Sequence, residues 1–228
     1  MYKNILAAVN EHLNSEISAR YALNLANACG AKLYICFIAE KGMSVSSLEK
    51  AEDAVKRLFI DAEKMGIAVE GITETGKPVE EINKIARHEG IDIAFASTRR
   101  EDVERRFYTG TVARNLSLKL SCSVALVRVV HMGRIHPKDI LIPLKARIAS
   151  MQERAYFTAK MAGCFGSKVF VFHATTPITK FFHGEMHLTP AQWEKRLPED
   201  ISEFIEHMKR YKVEIEGRLS PGAAAKSI

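Results

Sequence analysis

Along the first 130 residues, apolar positions follow two alternating rhythms. Residues 5–9 (ILAAV), 31–39 (AKLYICFIA) and 91–97 (IDIAFAS) are short runs, almost wholly apolar, with the composition of strands buried on both faces. Residues 67–73 alternate as a further strand, and an apolar run closing at Val129 reads as a fifth. Between these runs the spacing becomes helical. Ile17, Tyr21, Leu25 and Ala28 form a stripe that Gly30 ends, and Leu48, Ala51, Val55, Leu58, Ala62 and Met65 form another that closes at Gly66. Ser46 and Glu49 stand at capping-box spacing before the second stripe. Pro78 opens a third helix carrying Val79, Ile82 and Ala86, which stops at Gly90. Gly110-Thr111 precedes Val112, Leu116 and Leu120 in a fourth. Strands alternating with helices predict an α/β fold with parallel pairing, right-handed crossovers and a doubly wound sheet.

The pattern then begins again. After a linker over residues 131–137, Asp139-Ile-Leu-Ile-Pro-Leu-Lys145 mirrors Asn4-Ile-Leu-Ala-Ala-Val-Asn10, and AYFTAKMAGCFGSKVFVFHA mirrors RYALNLANACGAKLYICFIA with one residue inserted. Residues 199–211 follow as a helix with Ile201, Phe204, Ile205 and Met208 on one face, and residues 212–219 alternate as a strand. The expected organisation is a domain over 1–130 and a partial second copy over 138–228 that lacks strands 4 and 5.

Composition narrows the class of protein. With 47% hydrophobic and 26% charged residues, the chain can bury a core, and no apolar run approaches the roughly 20 residues that cross a bilayer. Its N-terminus lacks the form of a signal peptide, so the expected location is the cytoplasm, away from membranes. Cys29, Cys36, Cys122 and Cys164 lie far apart and read as reduced core thiols rather than nucleophiles. The net charge of +6 sits mostly after residue 130, and no basic run interleaved with aromatics points to nucleic acid.

Candidate chemistry gathers in one place. A small residue and a hydroxyl at Gly110-Thr111, opening a helix after a parallel strand, leave free backbone N–H groups able to hold a phosphate. The preceding loop carries Arg99, Arg100, Arg105 and Arg106, largely neutralised by Glu101, Asp102 and Glu104. His183-Gly-Glu-Met-His187 has two histidines four apart, but Gly184 and the polar surroundings argue against a helix there, so no metal is assigned. Phosphate loops of the GxxxxGK type, GxSxG elbows and GxGxxG fingerprints are all missing, and nothing marks an activated nucleophile or an acid and base pair. Dedicated catalysis is therefore not expected.

KNILAAVN, ALNLANACGAKLYICFI, GKPVEEINKIA, IDIAFAS and GTVARNLSLKLSCSVALVRV, in that order, resemble the universal stress protein family in its tandem form, with the second domain incomplete. The resemblance implies a Rossmann-like, adenine-nucleotide-binding type of sheet ordered 3-2-1-4-5 and a homodimer paired through strand five or a sheet edge. It also implies a stress-response role and ATP, ADP or AMP as ligand, with Mg accompanying the nucleotide. Nucleotide-binding members carry Gly-x2-Gly-x9-Gly-Ser/Thr after strand four, an acidic residue after strand one and a backbone contact to adenine at the end of strand two. Carried onto this chain, the site comprises Val9, Asn10, Ile38, Ala96, Thr98, Arg99, Gly110, Thr111 and Val112. Ala96 and Arg99 stand where the leading glycines would be, the spacer to Gly110 is one residue longer, and Asn10 replaces the acid. These departures favour one alternative, a dimeric scaffold or regulator that has lost nucleotide binding; a second, a weak ATPase, rests on fold analogy alone.

Overall fold

The structure is a computed structural model that describes residues 1–98, 112–130, 136–145, 147–175 and 197–221. It divides into two compact units, Met1–Ile135 and His136–Ile228. In the first unit the chain runs β1 (Asn4–Val9), α1 (Leu13–Cys29), β2 (Lys32–Ala39), α2 (Val45–Lys64), β3 (Val69–Thr75), α3 (Pro78–His88), β4 (Ile93–Thr98), α4 (Val112–Lys119) and β5 (Ser123–Arg128). The strands form one parallel sheet in the order β3-β2-β1-β4-β5. This is the doubly wound α/β architecture that the hydrophobic rhythm predicts. β1, β2 and β4 are buried on both faces because helices cover both, and Ile5, Leu6, Leu33 and Ile35 are wholly inaccessible. One core cluster places Leu6, Tyr34, Cys36, Ile38, Ala94 and Ala96 of the strands against Ile82, Ala86 and Leu116 of α3 and α4.

Helix ends follow local chemistry, with three departures from the expected pattern. α1 ends where Gly30 turns left-handed at φ 61°, which lets its N–H return to Ala26 and Asn27. The face of α1 is wider than the predicted stripe: Ala19, Ala22, Leu23 and Ala26 are buried, while Tyr21 and Ala28 are only half-buried. The helix packs on β1, on β4 and on α2, so more than one line of side chains is covered. α2 is capped by Ser44, whose side chain accepts from the Ser47 N–H, and Ser46 lies inside the first turn. In α4 the buried pair is Ala113 and Leu116, and Val112 is 44% exposed.

The second unit contains β6 (Asp139–Leu144), α5 (Met151–Phe165), β7 (Lys168–Thr175), α6 (Glu199–Lys209) and β8 (Ile215–Pro221). Its parallel sheet, β6-β7-β8, repeats the β1-β2-β3 arm of the first. The repetition reaches individual hydrogen bonds. Lys32 N–H donates to Lys3 O as Lys168 N–H does to Lys138 O, and Leu33 N–H donates to Ala68 O as Val169 N–H does to Glu214 O. Gly166 ends α5 at φ 60°, close to the angle of Gly30. Ile201, Phe204, Ile205 and Met208 are all buried on α6, against Ala155, Ala159, Val169 and Val171. His183 and His187 lie outside the described residues.

Candidate functional site

In the order β3-β2-β1-β4-β5, the connections from β1 and β4 leave on opposite faces of the sheet. Their C-terminal ends therefore open a crevice, the place where sheets of this kind take ligands. β1 and β4 pair from Ile5 opposite Ile93 as far as Ala7 opposite Phe95; beyond that, β4 stays paired with β5, with Thr98 opposite Arg128. The crevice is a cleft of about 850 Å³ whose walls include Val9, Asn10, Ile38, Ala96 and Val112. That volume lies within the roughly 300–1,000 Å³ of small-molecule sites. Thr98 is not among the described lining residues, where β4 contributes Ala96 and Ser97. Arg99, Gly110 and Thr111 lie outside the described residues.

Two turns form much of the polar side. In the first, Ser15 is 2% exposed and accepts from the Asn10 N–H at 2.9 Å, while its hydroxyl reaches His12 O at 2.8 Å and Asn10 O at 3.1 Å. The Asn10 side-chain oxygen accepts the His12 N–H at 3.0 Å, an Asx turn that closes the loop on itself. Glu11 and His12 follow, with Glu11 Oε1 3.3 Å from His12 Nε2. In the second turn, after β2, Glu40 O accepts the Met43 N–H, Gly42 takes φ 87°, and Ser44 caps α2. The floor is apolar, with Cys36, Ile38, Ile82, Ala96 and Leu116.

Electrostatics makes the one thiol among the described lining residues a poor nucleophile. Burial first, and the Glu74 charge second, push the Cys36 thiol up to about 12, so it meets the cleft as a neutral apolar surface. Among the described lining residues, Glu11 and Glu40 are anionic, Lys41 is cationic and His12 is paired with Glu11. Just behind the wall, Glu16 is 5% exposed. Arg57 of α2 grips it with Nη2 at 2.8 Å and Nε at 3.3 Å, and Arg20 adds a contact at 3.1 Å. Burial raises the Glu16 carboxyl, but the two guanidiniums outweigh it and hold the group below its ordinary range. Among the described residues no group of three or more His, Cys, Asp or Glu gathers as a metal site, and no helix is long and apolar enough to cross a membrane.

The model of the universal stress protein family matches residues 1–128. The chain belongs to that family. A universal stress protein from Archaeoglobus fulgidus superposes with a TM-score of 0.62 at 16% identity, over 99% of this chain and 79% of its own. A functionally unknown protein from Pseudomonas aeruginosa gives 0.60 at 13% identity, over 98% and 75%. A universal stress protein solved in complex with cAMP gives 0.47 at 16% identity, over 55% and 97%. The first two likenesses concern the fold. Among curated proteins, none matches the sequence.

Sequence reasoning missed Glu11, His12, Glu40, Lys41, Ser44 and Ser47, all of which line the cleft. The available signal was positional: the turns after β1 and β2 must border any crevice at the strand ends.

Proposed function

We propose that this member of the universal stress protein family is a stress-response binding module whose first unit takes an adenine nucleotide, with ATP, ADP and AMP as candidates. The observation that carries the reading is the cleft of about 850 Å³ at the switch point, with an apolar floor for a base and polar turns for a sugar and phosphate. Ile38 and Ala96 suit a flat ring, and the first turns of α1 and α4 border the remainder. Any Mg would arrive with the nucleotide's phosphates. Occupancy would act through assembly, in a cytoplasmic homodimer paired along β5 or another sheet edge.

One observation favours a scaffold without nucleotide: Ala96 places a methyl group in the cleft where a glycine would leave room. Calorimetry decides between the two readings. At 100 times its dissociation constant, AMP, ADP or ATP should stabilise the protein by about 2.7 kcal/mol. Val112→Glu adds a carboxylate at an exposed lining position and should weaken AMP more than adenosine, because only AMP brings a phosphate. No heat and no stabilisation with any of the three at millimolar concentration would leave the scaffold reading.

A further inference from the structure

We propose that β6 pairs antiparallel with β6 of a second copy of this chain, about a two-fold axis at Ile142, so that the sheets of two second units join into one. This names the edge that the homodimer above leaves open, and it does not depend on the nucleotide reading. In the sheet β6-β7-β8, β6 has a described neighbour on one side only. Its counterpart β1 is paired on both sides, with β2 and with β4, and there Asn4 O accepts the Asp92 N–H.

The alternation of the main chain shows what the open side of β6 offers. Lys168 N–H donates to Lys138 O, so the even-numbered residues turn their N–H and C=O toward β7 and the odd-numbered ones turn theirs outward. Pro143 is one of the outward residues, so its missing N–H costs no bond to β7. Side chains alternate as well. Ile140, Ile142 and Leu144 pack with the apolar cluster of the second unit, whereas Asp139, Leu141, Pro143 and Lys145 are exposed, Leu141 by 46%. A strand with open main-chain groups and an exposed leucine is a template for another strand.

Charge selects the occupant and the register. A pairing centred on Leu141 would set Asp139 against Pro143, and Lys138 against Leu144 at the edge of the apolar cluster. Centred on Ile142, the pairing sets Asp139 of each copy against Lys145 of the other. Leu141 then opposes Pro143, whose carbonyl can accept the Leu141 N–H, while Ile140 opposes Leu144 and Ile142 meets its own counterpart. Opposite charges face each other at both ends of the seam, and the apolar row continues across it. The strand is complementary to itself, which is what a two-fold contact requires.

The test is hydrogen exchange on the full chain, read over residues 138–145 at rising protein concentration, with sedimentation to follow self-association. It compares the wild type, Asp139→Lys, Lys145→Asp and the variant carrying both changes. The outward Leu141 and Lys145 amides should slow by about tenfold or more as the wild type associates. Each single reversal sets like charges in opposition at both ends of the seam and should weaken association by about tenfold or more; the double variant should return to within about threefold of the wild type. Both positions are exposed, so Tm in dilute solution, where the copies are apart, should not move. Wild-type protein that stays a single copy would overturn the inference. Association that leaves exchange in β6 fast would overturn it too, while keeping a homodimer through another edge. Single reversals that associate like the wild type, or a double variant as weak as they are, would overturn the register and the self-complementarity on which the pairing stands.

Discussion

Glu16 shows how a single residue braces the wall of the cleft. It follows Ser15 in the first turn of α1, and the Arg57 fork and Arg20 tie it to α2, whose own leading turn borders the opposite side. Arg20 also reaches Asp61 at 2.8 Å, so the two helices are clasped twice. Because the folded carboxyl is held below its ordinary value, its contribution is present above about pH 4.3 and fades as pH falls through the folded value. Glu16→Gln should cost about 1–3 kcal/mol at pH 7, and thermal melts should show the gap from wild type narrowing as pH falls below about 4.3. A gap of constant size would mean that the clasp contributes through packing alone. Cys36 gives a second expectation at this scale. Alkylation at pH 8 followed by mass spectrometry should leave it unlabelled after the half-buried Cys29, Cys122 and Cys164 have reacted, because its thiol is pushed up to about 12. Early labelling of Cys36 would show a cleft open to deeper solvent.

At the level of elements, helices and strands were legible where one face decides everything. α6 is the clearest case: the four positions picked by spacing are the four buried ones, since a three-stranded sheet and α5 leave one side of the helix to cover. α1 was legible in extent but not in its face, because a helix over the middle of a sheet also touches a neighbouring helix. The start of α2 was misread by two residues. Ser44, Ser46 and Ser47 offer similar hydroxyls, and only backbone angles show which one precedes the first turn; Ser44 has φ −70° and ψ 152°. Ser44→Ala should therefore cost about 1 kcal/mol and Ser46→Ala close to nothing, by denaturant melts. The reverse ranking would restore the capping box at Ser46. The turn after β1 was illegible for a related reason. Asn10 reads as a ligand group by position, and only the bond from the His12 N–H shows that its oxygen also closes the turn.

For the whole molecule, a repeated strand-helix-strand pattern was readable because identical burial demands recur: the same lysine N–H bonds and the same left-handed glycines close both first helices. The cleft was readable only as a region, since its walls come from turns far apart in sequence that strand order alone brings together. Each unit has its own sheet and its own apolar cluster. Phe204→Ala, at a position 1% exposed, should cost about 3–5 kcal/mol. Hydrogen exchange should then quicken in β6, β7 and β8 and stay slow in β1 and β4; equal loosening of both sheets would show one cooperative block. The central claim, a nucleotide cleft at the switch point, is tested most directly by the electron density of crystals grown with saturating AMP. The account predicts a base against Ile38 and Ala96, with its sugar and phosphate toward the turns after β1 and β2. Density for AMP anywhere else, or a cleft holding only solvent at that concentration, would contradict it.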